Sequence, residues 1–292
     1  LYKNPSLANL YEPGSTFKTL TVAAGIDTEA VTPETECPNC EGPRTIGKYT
    51  IRTWNDEYNP NITVKDALAK SDNIAMIYVA ETLGKDRFVE YMKKFGIGEE
   101  IRIDLQDDTS TPFPDKWGPV ELATSSFGQG ISTNSLQMVR AVSAIANQGV
   151  MMRPKILKQV IDHQSNKTID ITPIEERRVI SQKTAQTVTE LMINSAKHGE
   201  AQWIFKNTHA VAGKTGTSQI PISGGYKEDA TIASFIGFAP AENPRFVMLI
   251  KLNEPQSSPW AAETAAPLWY RVAEKLFLLM NIPPDVTTSI SP

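Results

Sequence analysis

The sequence predicts an α+β fold on three observations. Helical periodicity dominates the first two thirds of the 292 residues. Runs of β-branched and aromatic residues dominate the last third, and a helical pattern closes the chain. Two of the late runs flank a proline-bounded turn and read as an antiparallel hairpin. No internal repeat and no linker divides the chain.

The elements follow in order. A polar lead-in ends at Pro13-Gly14, and residues 15–24 read as a helix stopped by Gly25. Residues 27–62 are rich in Pro and Gly and read as a long surface excursion. Helical patterns return at 64–69, at 74–83 closed by Gly84, and at 87–95 closed by Gly96. Residues 97–119 read as loop, and helices are expected at 136–147 and 179–196. Strand patterns occupy 210–220, 231–239 and 245–252, with the turn at 240–244. A helix over 262–280 precedes a frayed tail from Pro283-Pro284.

Composition narrows the function. Hydrophobic residues make up 40% and charged residues 21%, enough for a sizeable core and too apolar for a disordered chain. Against 33 acidic residues stand 29 basic ones, with no basic block to neutralise phosphates, so no nucleic-acid partner is expected. Two cysteines exclude a disulfide scaffold. The longest apolar run, 276–282, falls far short of the ~20 residues of a spanning helix. The first residue is Leu1 and a functional motif begins by Ser15, so a trimmed piece of a longer chain is expected.

Three clusters carry chemistry. Ser15-Thr16-Phe17-Lys18 places a hydroxyl and an amine three residues apart at a helix start, on one face. A serine is a poor nucleophile until a base takes its proton, and lysine can be that base only when neutral. At a reference pKa of ~10.4 this costs roughly 4.6 kcal/mol at pH 7, which burial and a second cation would lower. A Ser–Lys pair therefore predicts another lysine nearby. The plainer reading, a capping serine and a solvated lysine, outweighs it for the motif alone, because Ser-x-x-Lys arises about once by chance in such a chain.

Lys214-Thr215-Gly216-Thr217 lies on a strand pattern. Cation and hydroxyls suit a substrate carboxylate, and Gly216 suits close approach of a substrate backbone. Ser71-Asp72-Asn73 falls between two helices, where a short loop can aim a hydroxyl and an amide inward. Ser132-Thr133-Asn134 competes for that role.

Taken in order, with 56 and 143 residues between successive clusters, these motifs resemble the penicillin-recognising serine acyltransferases, and most closely the transpeptidase domain of class B penicillin-binding proteins. Supporting stretches are Tyr11 to Lys18, Ala69 to Asn73, Gly128-Gln129-Gly130-Ile131-Ser132-Thr133, Ala212 to Thr217, Phe235 to Pro240 and Ala265-Ala266-Pro267-Leu268. The likeness covers about residues 7–280. It assigns Ser132-Thr133-Asn134 to the stretch after Gly-Gln-Gly rather than to the second motif.

The resemblance implies a β-lactamase/transpeptidase-like fold: an antiparallel β-sheet flanked by helices plus an all-helical subdomain. Strands that normally precede the Ser-x-x-Lys helix are expected to be missing from this chain. Residues 1–282 would form the transpeptidase domain and 283–292 a tail. Ser15 would attack the penultimate D-alanine carbonyl of a peptidoglycan stem, with Lys18 as base. Ser71 would relay a proton to the leaving amine, and Lys214 would be the second cation. Asn73 would bond the substrate amide, and Thr215, Gly216 and Thr217 would bind the substrate. The backbone N–H groups of Ser15 and Thr217 would form the oxyanion hole.

Stem peptides and β-lactams are the implied ligands, and a membrane glycosyltransferase the implied partner. The catalytic domain would work outside the cytoplasm, with an anchor upstream. No cofactor and no metal are expected. Cys37-Pro38-Asn39-Cys40 has no second cysteine pair, and His163, His198 and His209 are scattered, so a loop disulfide leads, then free thiols, then a metal. Trp54, Tyr58 and Trp260 are expected in ordinary packing rather than at the site rim. The rival functions are a serine β-lactamase and a β-lactam sensor. The former is disfavoured because residues 95–118 hold no Glu-x-x-Leu-Asn element to activate a deacylating water.

Overall fold

A computed structural model describes residues 3–106, 108–206 and 208–285. Its first half holds α1 (Pro5–Ala8), a 3₁₀ turn (Gly14–Phe17) running into α2 (Lys18–Asp27), β1 (Arg44–Ile46), β2 (Tyr49–Ile51), α3 (Val64–Lys70), α4 (Asn73–Leu83), α5 (Lys85–Lys94) and α6 (Pro119–Ser125). Then come α7 (Ser135–Ala146), four short strands β3 (Val150–Met152), β4 (Gln159–Asp162), β5 (Lys167–Asp170) and β6 (Glu175–Arg178), and α8 (Gln182–His198). The chain closes with β7 (Ala212–Ile222), β8 (Gly225–Ala239), β9 (Phe246–Asn253) and α9 (Ala265–Leu279).

Strands β7, β8 and β9 form one antiparallel sheet in that order. Alternation of side chains sorts β8 onto two cores. Ile232, Ile236 and Phe238 join Met138 and Val142 of α7 and Val188 of α8. Ala233, Phe235 and Ala239 pack with Trp269, Tyr270 and Ala273 of α9. Both faces of the strand are covered, which explains its apolar run from Phe235 to Ala239. Trp269 is fully buried, and its indole N–H donates to the Met248 carbonyl at 2.9 Å.

A third core joins Val22 of α2, Leu68 of α3, and Ile74 and Ile77 of α4, and it takes in both cysteines. Cys37 and Cys40 form a disulfide, the first of the three states open to them from sequence. The 27–62 excursion is thus fastened twice, by that packing and by a bridge from Glu36 to Thr63, and it carries the β1–β2 hairpin. The helix expected over 179–196 begins at Gln182, because the Ser181 side chain accepts the Thr184 N–H and caps it there. From the expected tail, Asp285 docks through its N–H to Thr208 O at 3.0 Å; residues 286–292 lie outside the described residues. No helix among the described residues is long and apolar enough to cross a membrane.

Helix α2 is buried from Lys18 to Gly25 and is the hub of the molecule. Its threonines tolerate burial because their hydroxyls reach carbonyls: Thr19 to Thr16 O and Thr21 to Ser126 O, both at 2.8 Å. Gly25 does not stop this helix, contrary to the reading from sequence. A Cβ there would lie 2.9 Å from Val31 Cγ2 and from Val79 Cγ1, so packing excludes a side chain. Gly25→Ala is therefore expected to destabilise the fold. Overpacking costs about 1–3 kcal/mol, against a helix-propensity gain of about 1 kcal/mol. A lowered urea midpoint, partly restored by adding Val79→Ala, is the result that checks this.

Candidate active site

Ser15 sits in the 3₁₀ turn that feeds α2, half-buried between a loop and a strand. The loop holds the turn through the Gly14 N–H, which donates to Gly128 O at 3.0 Å. Gly128 has φ +81°, and a Cβ there would fall 2.3 Å from Gly14 O, so no other residue fits against the turn. Glu12 ties the same loop down by accepting the Gly130 N–H at 3.0 Å, and the Tyr226 hydroxyl of β8 at 3.2 Å. Burial pushes the Glu12 carboxyl up, and these bonds oppose the rise.

Ser71 ends α3 in the left-handed region, at φ 61° and ψ 39°, a conformation that costs a non-glycine residue about 1–2 kcal/mol. Asp72 then caps α4 by accepting the Ala75 N–H at 3.0 Å. The kink aims Ser71 at two lysines. Lys18 Nζ donates to Ser71 O at 2.6 Å and to Ser71 Oγ at 3.2 Å. Lys214 Nζ, arriving from β7, donates to the same Oγ at 3.1 Å. Both lysines are at most 1% exposed. Burial, and then the charge of Lys214, push the Lys18 ammonium down to about 7, with Asp72 and Glu200 opposing. Burial also pushes Lys214 down, and Glu200 opposes. The second cation that a Ser–Lys pair demands is in place.

Ser15, Asn73 and Thr217 line one cleft of about 380 Å³, with Gln129, Trp54 and Trp260. Asn73 donates its amide to Arg52 O at 2.9 Å, and Thr217 Oγ1 accepts the Ala261 N–H at 3.1 Å. Thr215 is buried beside Lys214, and its hydroxyl donates to Glu200 at 2.8 Å. Gly216 is explained by contacts the sequence does not reveal. A Cβ there would meet Ser234 Oγ and Thr16 Cγ2, both at 2.8 Å, so β7 can lie against the Ser15 turn only as glycine. Ser132-Thr133-Asn134 serves structure: Thr133 bridges to Tyr11, and Asn134 caps α7 by accepting the Gln137 N–H.

The sequence, set beside known proteins, matches the penicillin binding protein transpeptidase domain over residues 1–274. The chain belongs to this family of penicillin-binding protein transpeptidase domains. Among its relatives is Stage V sporulation protein D of Bacillus subtilis, 35% identical over 270 residues, 91% of this chain and 42% of the relative. Penicillin-binding protein PbpB of Mycolicibacterium smegmatis is 33% identical over 96% of this chain and 45% of its own length. The chain thus spans less than half of these relatives. The crystal structure of penicillin-binding protein 3 from Mycobacterium tuberculosis, complexed with aztreonam, superposes with a TM-score of 0.89 at 28% identity. It covers 98% of this chain and 66% of that one.

Two features of this transpeptidase domain escape the sequence. Trp54 and Trp260 do not pack in the interior as expected; their rings meet edge-on, 5.4 Å apart, at the mouth of the cleft. Tyr58 is the one that packs, against the α2–α4 core. Glu200 belongs to no motif, yet it is one step from Lys214. Among the described residues no cluster of His, Cys, Asp and Glu is arranged to hold a metal.

The lysine pair sets a sign for stability. A lysine held at about 7 in the fold and ~10.4 unfolded penalises folding fully below pH 7. The penalty fades as pH rises through 10.4, because the unfolded chain binds the extra proton between those values. Lys18→Met is expected to melt above the parent protein at pH 6.5, the gap narrowing toward pH 10. Melting temperatures across that range measure it.

Proposed function

We propose that this chain is the D,D-transpeptidase domain of a class B penicillin-binding protein, cross-linking peptidoglycan stem peptides through an acyl-enzyme on Ser15 that β-lactams trap. The observation that carries the reading is the convergence of two buried lysines on the Ser71 hydroxyl, beside a cleft lined by Ser15, Asn73 and Thr217.

Lys18 is the base. Two of its N–H directions are spent on Ser71 O and Oγ, so the site left by its lost proton is the lone pair that takes the Ser15 proton. A pKa of about 7 leaves a large neutral fraction at physiological pH. Ser15 Oγ bonds to the carbonyl carbon of the penultimate D-alanine. The oxyanion takes the backbone N–H groups of Ser15 and Thr217, a contribution of about 3 kcal/mol per donor.

Ser71 Oγ already accepts from both lysines, so its own proton is directed outward, to the leaving nitrogen. Cleavage of the peptide bond releases D-alanine, and an amine of a neighbouring stem then displaces Ser15. Asn73, its amide nitrogen held by Arg52 O, offers its carbonyl oxygen to the substrate N–H. Thr217 and Gly216 meet the substrate along β7. Thr215 reaches the carboxylate only by releasing Glu200. A β-lactam forms the same ester, but its leaving nitrogen stays tethered, and residues 95–118 hold no Glu-x-x-Leu-Asn element to activate a deacylating water. By kinship with wall-synthesis relatives, the domain works on the outer side of the bacterial membrane, anchored upstream and paired with a glycosyltransferase.

Intact-mass spectrometry with benzylpenicillin tests this. One adduct that persists for hours on the parent protein, and none on Ser15→Ala, is expected. An adduct lost within seconds, with hydrolysed drug accumulating, would make the protein a β-lactamase. The acylation rate is expected to climb along a limb centred near pH 7, where Lys18 loses its proton. Stopped-flow measurements with a fluorescent penicillin from pH 5.5 to 8.5 follow that limb.

A further inference from the structure

Outside the motifs, one charged group is wired directly into the machinery. Helix α8 ends at His198, and Gly199 lets its end press on the end of α3: a Cβ at 199 would lie 2.8 Å from Ala69 O and 2.3 Å from Ser195 O. That close approach sets the next residue, Glu200, against β7. Its carboxylate can only accept, so the single proton of Thr215 Oγ1 goes to Glu200 Oε2, at 2.8 Å. Thr215 Oγ1 is then obliged to accept on its other side, and it does, from Lys214 Nζ at 3.1 Å. With Thr215 O at 3.3 Å and Ser71 Oγ at 3.1 Å, all three ammonium protons of Lys214 find acceptors.

We infer that Glu200 is a positioning residue for acyl transfer: it turns Thr215 into an acceptor and supplies the anion that holds the Lys214 ammonium beside Ser71. This rests on the transpeptidase reading above. Without Glu200, a neutral Lys214 would offer one donor fewer, and Ser71 would lose the bond that directs its proton outward.

The other charged group around the pair is Asp72, at the start of α4; Asp72 and Glu200 both favour the charged form of Lys18, and Glu200 alone that of Lys214. Glu200 also opens on an outer pocket of about 230 Å³, shared with Glu57, Lys70, Asp72 and His198. The carboxylate therefore stands between solvent and the buried lysines.

The test compares the parent protein with Glu200→Gln, Glu200→Ala and Glu57→Gln. Gln keeps an acceptor for Thr215 and removes the charge; Ala removes both. Glu57 lines the same pocket without bonding Thr215. Lysines labelled at Cε are titrated by NMR, and acylation by a fluorescent penicillin is timed across pH.

In Glu200→Gln, the Lys18 and Lys214 titrations are expected to fall by about one pH unit. The acid limb of acylation should move down with Lys18, while a basic limb, where Lys214 loses its proton, should move down too and cut the rate at pH 8 by up to about tenfold. Melting temperature is expected to hold, Glu57→Gln to match the parent, and Glu200→Ala to lose more. Lysine titrations unmoved in Glu200→Gln, or moved equally in Glu57→Gln, would overturn the proposal. So would a rate loss that tracks melting temperature with no movement of either limb. If the lysines move as expected but the parent protein takes no penicillin, the transpeptidase reading fails while the role of Glu200 in holding Lys214 stands.

Discussion

Two lysine amines share one hydroxyl in the buried interior, and the surrounding structure is arranged around that contact. Lys18 and Lys214 are drawn to Ser71 Oγ from a helix and a strand far apart in sequence. Like charges so close repel, and burial removes the water that would screen them. Lowering the Lys18 pKa from 10.5 to about 7 corresponds to roughly 5 kcal/mol, a large share of the 5–15 kcal/mol by which domains are stable. The fold offsets this with three buried cores, the largest of them between α2, the sheet and α7–α8.

The same constraint explains local oddities. Ser71 adopts a left-handed backbone because only that kink presents both its carbonyl and its hydroxyl to Lys18. Gly128 and Gly216 lack side chains because the Ser15 turn is clamped between a loop and a strand at backbone distance. Glu12 seals one end of that clamp, joining the loop to β8. Each helps fix the Ser15 turn beside the buried cluster of Ser71 and the two lysines.

How much of this was legible beforehand follows from the chemistry. Ser15, Lys18, Ser71, Asn73 and Lys214 to Thr217 can be read because they stand in the family's motif order, and the prediction of a second lysine came from acid–base arithmetic alone. The long helices and β7–β9 were legible from periodicity. The strands β3 to β6 were not: they are three or four residues long, and β3 pairs with β6 across more than twenty residues, so no local pattern marks them. Gly25 misled because a helix stop and a crowded helix crossing both call for glycine, and only the crossing partner, Val79, tells them apart. Glu200 was invisible for a related reason, since its partner lies on another element and one glutamate at a helix end resembles any other.

Rigidity is not spread evenly around the site, and the gradient follows burial. Ser71 and both lysines are sealed and multiply bonded, whereas Trp54 and Trp260 at the mouth remain 49% and 42% exposed. An edge-on aromatic contact contributes about 0.5–1.5 kcal/mol beyond its buried area, and the Trp54 indole adds one long bond to Lys70 O at 3.4 Å. Trp54 is carried by the 27–62 excursion, whose core packing at Cys37 and Cys40 and whose Glu36–Thr63 bridge hold it toward its two ends and not at Trp54 itself. The roof can therefore shift at small cost without disturbing the lysine pair beneath it. The proposed acyl transfer, which would admit one peptide, release an amine and then admit a second amine, is served by that division: Ser71 and the two lysines stay fixed while the cover over them yields.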